Sequence, residues 1–147
     1  MRALIGLAFA IAAVTMTFAQ PSSKQIIKTG GNPALPFSPA VKAGGLIYAA
    51  GTIGTDASGA VAKGDIKAQT KQTLDNLAAT LKAGGTSLAN VTSVLIYLRN
   101  AADFAAMNEV YGRRFGSHRP ARSTVAAAGL PRNVLVEIEV VALKSEK

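Results

Sequence analysis

From residue 65 the apolar positions take up a helical period, with Leu74, Leu77, Ala78 and Leu81 at i, i+3, i+4 and i+7. Asp65 stands ahead of them as an N-cap and Gly84-Gly85 behind them as a stop, which predicts one amphipathic helix of about 17 residues. The period then switches to two. Residues 91–98 read as a strand with Val94, Ile96 and Leu98 on one face and Leu95 and Tyr97 on the other, so both faces need cover. A second helix is predicted over 101–115, capped by Asn100, with Phe104, Met107, Tyr111 and Phe115 forming a core-facing stripe. Strands at 122–127 and 133–143 follow.

Ahead of the first helix, turn chemistry dominates 21–39, with a short edge strand at 25–28. Residues 38–42 and 46–50 are separated by Ala43-Gly44-Gly45 and read as a hairpin. Gly51-Thr52-Ile53-Gly54 then leads into the polar turn Asp56-Ala57-Ser58-Gly59. No Gly-Lys-Ser/Thr follows, so this is not a phosphate loop; the glycines either admit a close backbone approach or only turn the chain. The resulting order predicts a two-layer α+β domain in which two helices cover one sheet face. In the last strand Val134, Val136, Ile138 and Val140 point one way, and Leu135, Glu137, Glu139, Val141 and Leu143 the other. That second, partly apolar face predicts a homo-oligomer with Glu137 near a subunit boundary.

Composition narrows the chemistry. The 147 residues contain no Cys and one His, His118, which excludes disulfides, thiolate metal sites and imidazole clusters. Sixteen Lys and Arg against eight Asp and Glu give a net charge of +8. Most of the lysines are dispersed and the one tight basic cluster is Arg113, Arg114, Arg119 and Arg122, a distribution that argues against specific nucleic-acid binding. At the N-terminus Arg2, an apolar run to about Val14 and the small residues Thr17 and Ala19 have the layout of a secretory signal peptide. The expectation is a leader at 1–19, an exported or periplasmic protein, and one domain at 20–147; the alternative is an uncleaved anchor.

The most suggestive constellation is Pro120-Ala121-Arg122-Ser123-Thr124-Val125, followed by Leu130-Pro131 and Val136-Glu137-Ile138-Glu139. If the two strands form a hairpin, Arg122 and Glu137 come close together. Such a pair serves either as a structural ion pair or as a carboxylate clamp beside a proton-moving acid.

These residues resemble the C-terminal signature of the reactive-intermediate deaminases, the RidA/YjgF/UK114 family. Supporting matches are Pro36-Phe37-Ser38, Tyr48-Ala49-Ala50-Gly51, Gln72-Thr73-Leu74-Asp75-Asn76-Leu77 and Asp103-Phe104-Ala105-Ala106-Met107-Asn108. The resemblance spans residues of about 24 to 143 and implies a chorismate-mutase-like α+β fold, a mixed sheet with two helices on one face. It further implies a homotrimeric barrel with sites between subunits, and hydrolysis of enamines and imines such as 2-aminoacrylate to 2-keto acids and ammonia, without metal or cofactor. By the same resemblance Arg122 clamps the substrate carboxylate, Glu137 positions or activates water, and Gly51, Phe37, Asn108 and Thr124 line the pocket. Two positions depart from the family pattern: Thr124 stands where many members carry Cys, and Phe37 where many carry Tyr. The competing reading is a non-catalytic trimer that binds small carboxylates or acts as a chaperone. A nuclease has only His118 as a base and no metal cage.

Overall fold

The computed structural model describes residues 23–29 and 34–145; the predicted leader lies outside them. The elements in chain order are β1 (Gln25–Ile27), β2 (Ala40–Ala43), β3 (Leu46–Ile53), α1 (Ile66–Ala83), β4 (Val91–Leu98), α2 (Phe104–Phe115), β5 (Ala121–Ala126) and β6 (Val136–Leu143).

Local chemistry accounts for their ends. Gly44 and Gly45, at φ 56° and 81°, are the two central residues of the β2–β3 turn, where Ala43 pairs with Leu46. Positive φ at both centres is the backbone of a type I′ hairpin, which a Cβ disfavours. Helix α1 begins where the Asp65 carboxylate accepts from the Ala68 N–H at 3.0 Å, and ends at Gly84, with Gly85 at φ 82°. Leu74, Leu77 and Leu81 are buried on its inner face, as the periodicity predicts. Asn100 also caps, accepting from the Ala102 N–H at 3.0 Å, but it opens a 3-10 turn over Ala101–Asp103 and the α-helix starts only at Phe104. Among the described residues no helix is long and apolar enough to cross a membrane.

The strands form one mixed sheet in the order β1-β2-β3-β6-β4-β5, antiparallel except for the β4–β5 pair. This corrects the predicted hairpin of the last two strands. β5 runs parallel to β4 after the α2 crossover, and β6 inserts between β3 and β4. The reason is burial. In β6, Val136, Ile138, Val140 and Ala142 are each 1% exposed or less, which needs a partner strand on either side, whereas most of β5 is exposed and suits an edge. A 3-10 turn at Pro131–Asn133, with Arg132 and Asn133 at φ 55° and 58°, carries the chain back across β4. Arg99 holds that turn by donating to the Asn133 carbonyl and side-chain oxygens at 2.8 and 2.6 Å.

One apolar cluster joins the helices to one sheet face, through Ile47, Val94, Ile96 and Ile138 against Leu74, Leu77 and Met107. The other face carries half-exposed Tyr48, Val125 and Leu143, with Glu137 and Glu139 between them. The two-layer α+β prediction therefore holds, as does the alternation within β4 and β6. Replacing Asp65 by Ala leaves the first-turn N–H of Ala68 without its acceptor. We expect a loss of about 1 kcal/mol, read as a lower urea midpoint at unchanged slope by circular dichroism.

Candidate active site

Glu137 sits where β6 passes a bulge in β3. The β3–β6 register shifts between Ala49 and Thr52, so that Ala50 and Gly51 lie in the irregular stretch. A Cβ on Gly51 would fall on Glu137 Oε1 and lie 3.0 Å from its carboxyl carbon. The glycine is there for close approach, and the group that approaches is the Glu137 carboxylate. Burial pushes the Glu137 carboxyl above its ordinary value, and the neighbouring charge of Glu139 pushes it the same way.

Gly51 also lines a cleft of about 490 Å³ shared with Phe37, Pro39, Gln72, Asn76 and Thr80. Its wall is set by Asn76 of α1, whose side-chain NH₂ donates to the Ile53 and Thr55 carbonyls at 3.0 and 2.9 Å. Gln72 in turn donates to the Asn76 oxygen at 3.0 Å. Phe37 is 57% exposed at the cleft.

Arg122 lies elsewhere. Its guanidinium carbon is 4.6 Å from the centroid of the Tyr111 ring and 5.8 Å from that of Phe104, both on α2. Thr124, two residues on, shares that face of β5, and its hydroxyl is buried without a hydrogen-bond partner among the described residues, as is the Tyr111 hydroxyl. Asn108 follows Phe104 by four residues and precedes Tyr111 by three, which puts it on the same helix stripe.

Within one chain these two groups do not meet. Arg122 pairs with Val94, and Val94 with Val140; Glu137 pairs with Tyr97. The two side chains are thus two strands and three residues apart, roughly 10 Å in each direction. They also stand on opposite faces, since Arg122 is level with buried Val94 whereas Glu137 alternates with buried Val136 and Ile138. The intrachain Arg122–Glu137 pair expected from a hairpin is therefore corrected: β4 lies between the two strands. The residues fall into one set of Phe37, Gly51 and Glu137, and a second of Asn108, Arg122 and Thr124.

The basic cluster divides in the same way. Arg114 pairs with Asp75 at 2.8 Å, while Arg122 rests on aromatic rings. His118 is bonded through Nε2 to the Val91 carbonyl at 2.7 Å. Phe104 departs from the predicted core stripe, being 43% exposed beside Arg122, whereas Met107, Tyr111 and Phe115 are buried. The approach of Phe104 and Tyr111 to Arg122 carries no local signal, because it depends on β5 running parallel beside β4 under α2.

Residues 29–144 match the Endoribonuclease L-PSP family. The chain belongs to that family. Among its relatives is a RutC family protein from Pyrococcus horikoshii, 47% identical over 82% of this chain and 98% of the relative. Another, a 2-iminobutanoate/2-iminopropanoate deaminase from Dermatophagoides farinae, is 40% identical over 80% of this chain and 94% of its own. The solved structure of E. coli TdcF with bound serine superposes with a TM-score of 0.76 at 31% identity, covering 82% of this chain and 99% of that one. The resemblance drawn from the C-terminal signature and the fold it implies are thus borne out.

The same comparisons overturn the expectation of a signal peptide and a periplasmic protein. The Pyrococcus relatives are matched over 98% of their own lengths, and the family match starts at residue 29, so an export address is no part of what this chain shares with them. The physical reason is low specificity: one arginine before a short alanine-rich run is a pattern that many unrelated N-termini satisfy.

The raised Glu137 pKa has a consequence for stability. The folded chain holds that proton more tightly than the unfolded one, so ionisation costs stability as pH rises from about 4.5 toward the raised value. Glu137→Gln removes the cost. Thermal melts are expected to show the variant melting above the wild type near neutral pH, with the gap closing below about pH 4.5.

Proposed function

We propose that the protein hydrolyses reactive enamines and imines of the 2-aminoacrylate and 2-iminopropionate type to 2-keto acids and ammonia. The active unit in this reading is a homotrimer, with the sites formed between subunits. The observation that carries it is the division of the site: a guanidinium without an anionic partner on one face, and a carboxyl with a raised pKa on the other. Contact between them requires a second copy, and the half-exposed apolar residues around Glu137 and Glu139 offer a surface for one to cover. The deaminase name of one relative and the serine bound in E. coli TdcF support a small amino-acid-derived carboxylate as ligand.

The chemistry suits the residue types. Arg122 holds the substrate carboxylate through two parallel N–H bonds. The enamine takes a proton at its terminal carbon and becomes an iminium ion. Water adds to the C=N carbon, a proton moves from the new hydroxyl group to nitrogen, and the C–N bond breaks to release ammonia and the keto acid. A carboxyl with a raised pKa is fitted to these transfers because it gains and loses a proton closer to neutral pH. Glu137 occupies that role, positioning the water and taking its proton. Phe37, Gly51, Asn108 and Thr124 line the pocket; with Thr124 in place of a thiol, no sulfur chemistry takes part.

The purified protein is expected to accelerate keto-acid release from enzymatically generated 2-aminoacrylate. Arg122→Ala should lower kcat/KM on the order of 100-fold or more, the scale of two charge-assisted hydrogen bonds. No acceleration with any small amino-acid-derived imine would leave the non-catalytic carboxylate-binding reading in its place. A second test addresses the shared site. Refolding Arg122→Ala and Glu137→Gln chains together at equal amounts should restore about one-quarter of the sites, because that share of interfaces joins two intact halves. No recovery in mixed trimers would sink the intersubunit arrangement, and a sedimentation mass of one chain would do so directly.

A further inference from the structure

Five cations of this chain spend donors on the protein itself. Lys67 pairs with Glu109, Lys71 and Arg114 with Asp75, Arg99 donates to Asn133, and Arg132 to the Gly59 carbonyl. Arg122 differs. Among the described residues it makes no hydrogen bond or ion pair, yet it is half-buried, with rings from α2 beside it. We propose that Phe104 and Tyr111 are positioning residues for Arg122: their ring faces fix the guanidinium and leave its N–H fork open to a carboxylate.

A carboxylate neighbour would hold an arginine by the same donors that a ligand needs, and would cancel its charge. An aromatic face holds it through the π cloud and consumes neither. The two rings are not equivalent. Tyr111 is 8% exposed and stacks on buried Phe115 at 4.4 Å between centroids, so it is anchored in the core. Phe104, two turns nearer the start of α2 on the same stripe, forms the accessible wall. The buried Tyr111 and Thr124 hydroxyls, both without partners, add unspent polar groups on the same side of β5 and α2. A lysine in place of Arg122 would lose both the planar stacking and the fork.

The inference rests on the proposed site, and its test separates the two. The probe is 2-oxobutanoate, a keto acid that does not turn over, titrated calorimetrically into the wild type and into Phe104→Leu, Tyr111→Leu and Tyr111→Phe. The leucine variants are expected to weaken binding by about three- to thirty-fold, the range of one cation–π contact. For imine substrates they should raise KM by a similar factor and leave kcat within about two-fold, while Tyr111→Phe, which keeps the ring, stays near wild type. Unchanged keto-acid affinity in a folded leucine variant overturns the inference, as does binding that is indifferent to Arg122→Ala. Equal damage from Tyr111→Phe and Tyr111→Leu also overturns it, since the ring would then not be what acts. Should Tyr111→Leu fail to fold, Phe104→Leu at its exposed position decides the matter. Weakened keto-acid binding in a protein that hydrolyses no imine upholds the cradle and defeats the proposed function. Full-rate imine hydrolysis at unchanged KM by the leucine variants does the reverse.

Discussion

The insertion of β6 between β3 and β4 is the constraint on which the rest of the structure depends. A central strand with fully buried alternate residues commits Val136, Ile138, Val140 and Ala142 to the helix layer, and by the same alternation commits Glu137 and Glu139 to the other face. A one-residue slip would bury two carboxylates in the core, so the register is pinned by the cost of burying charge. It also fixes the place of Arg122, because β4 then separates β6 from β5. Fold and site are therefore set by one strand.

The second organising feature is how the chain allots its few ionisable groups. Asp75 serves two cations, Glu109 serves Lys67, and the backbone carbonyls near Pro131–Asn133 and Gly59 are served by Arg99 and Arg132. These exposed contacts contribute little each, and their effect is to place loops more than to add stability. Against that background the half-buried charges in the aromatic setting of Arg122 and at the neighbouring carboxyls of Glu137 and Glu139 have no opposite charge beside them among the described residues. Uncompensated charge is what a polar ligand meets with the least competition.

Much of the fold was legible from local pattern, since caps, turns and periodicity are properties of a few neighbouring residues. Asp65, Asn100, Gly44-Gly45 and the alternation of 91–98 each act where the pattern places them. Strand order was not legible. The apolar runs of β5 and β6 are adjacent in sequence, and nothing local to either tells whether they pair with each other or with β4; burial on both sides of β6 decides it. The candidate residues were legible through the family signature, but their grouping was not, because it follows from strand order. Phe104 reads as core by its spacing but stands at the first turn of α2, half-exposed beside Arg122 of the edge strand.

The fit of Gly51 to Glu137 carries a consequence for how such a site changes over time. The two residues belong to different strands, yet the space that one lacks is the space that the other fills. Their substitutions cannot be independent, for a side chain at 51 is tolerated only with a shorter or redirected group at 137. The site thus has fewer degrees of freedom than its number of residues suggests. Variation is cheapest at the open wall around Phe37, where no partner must move in step.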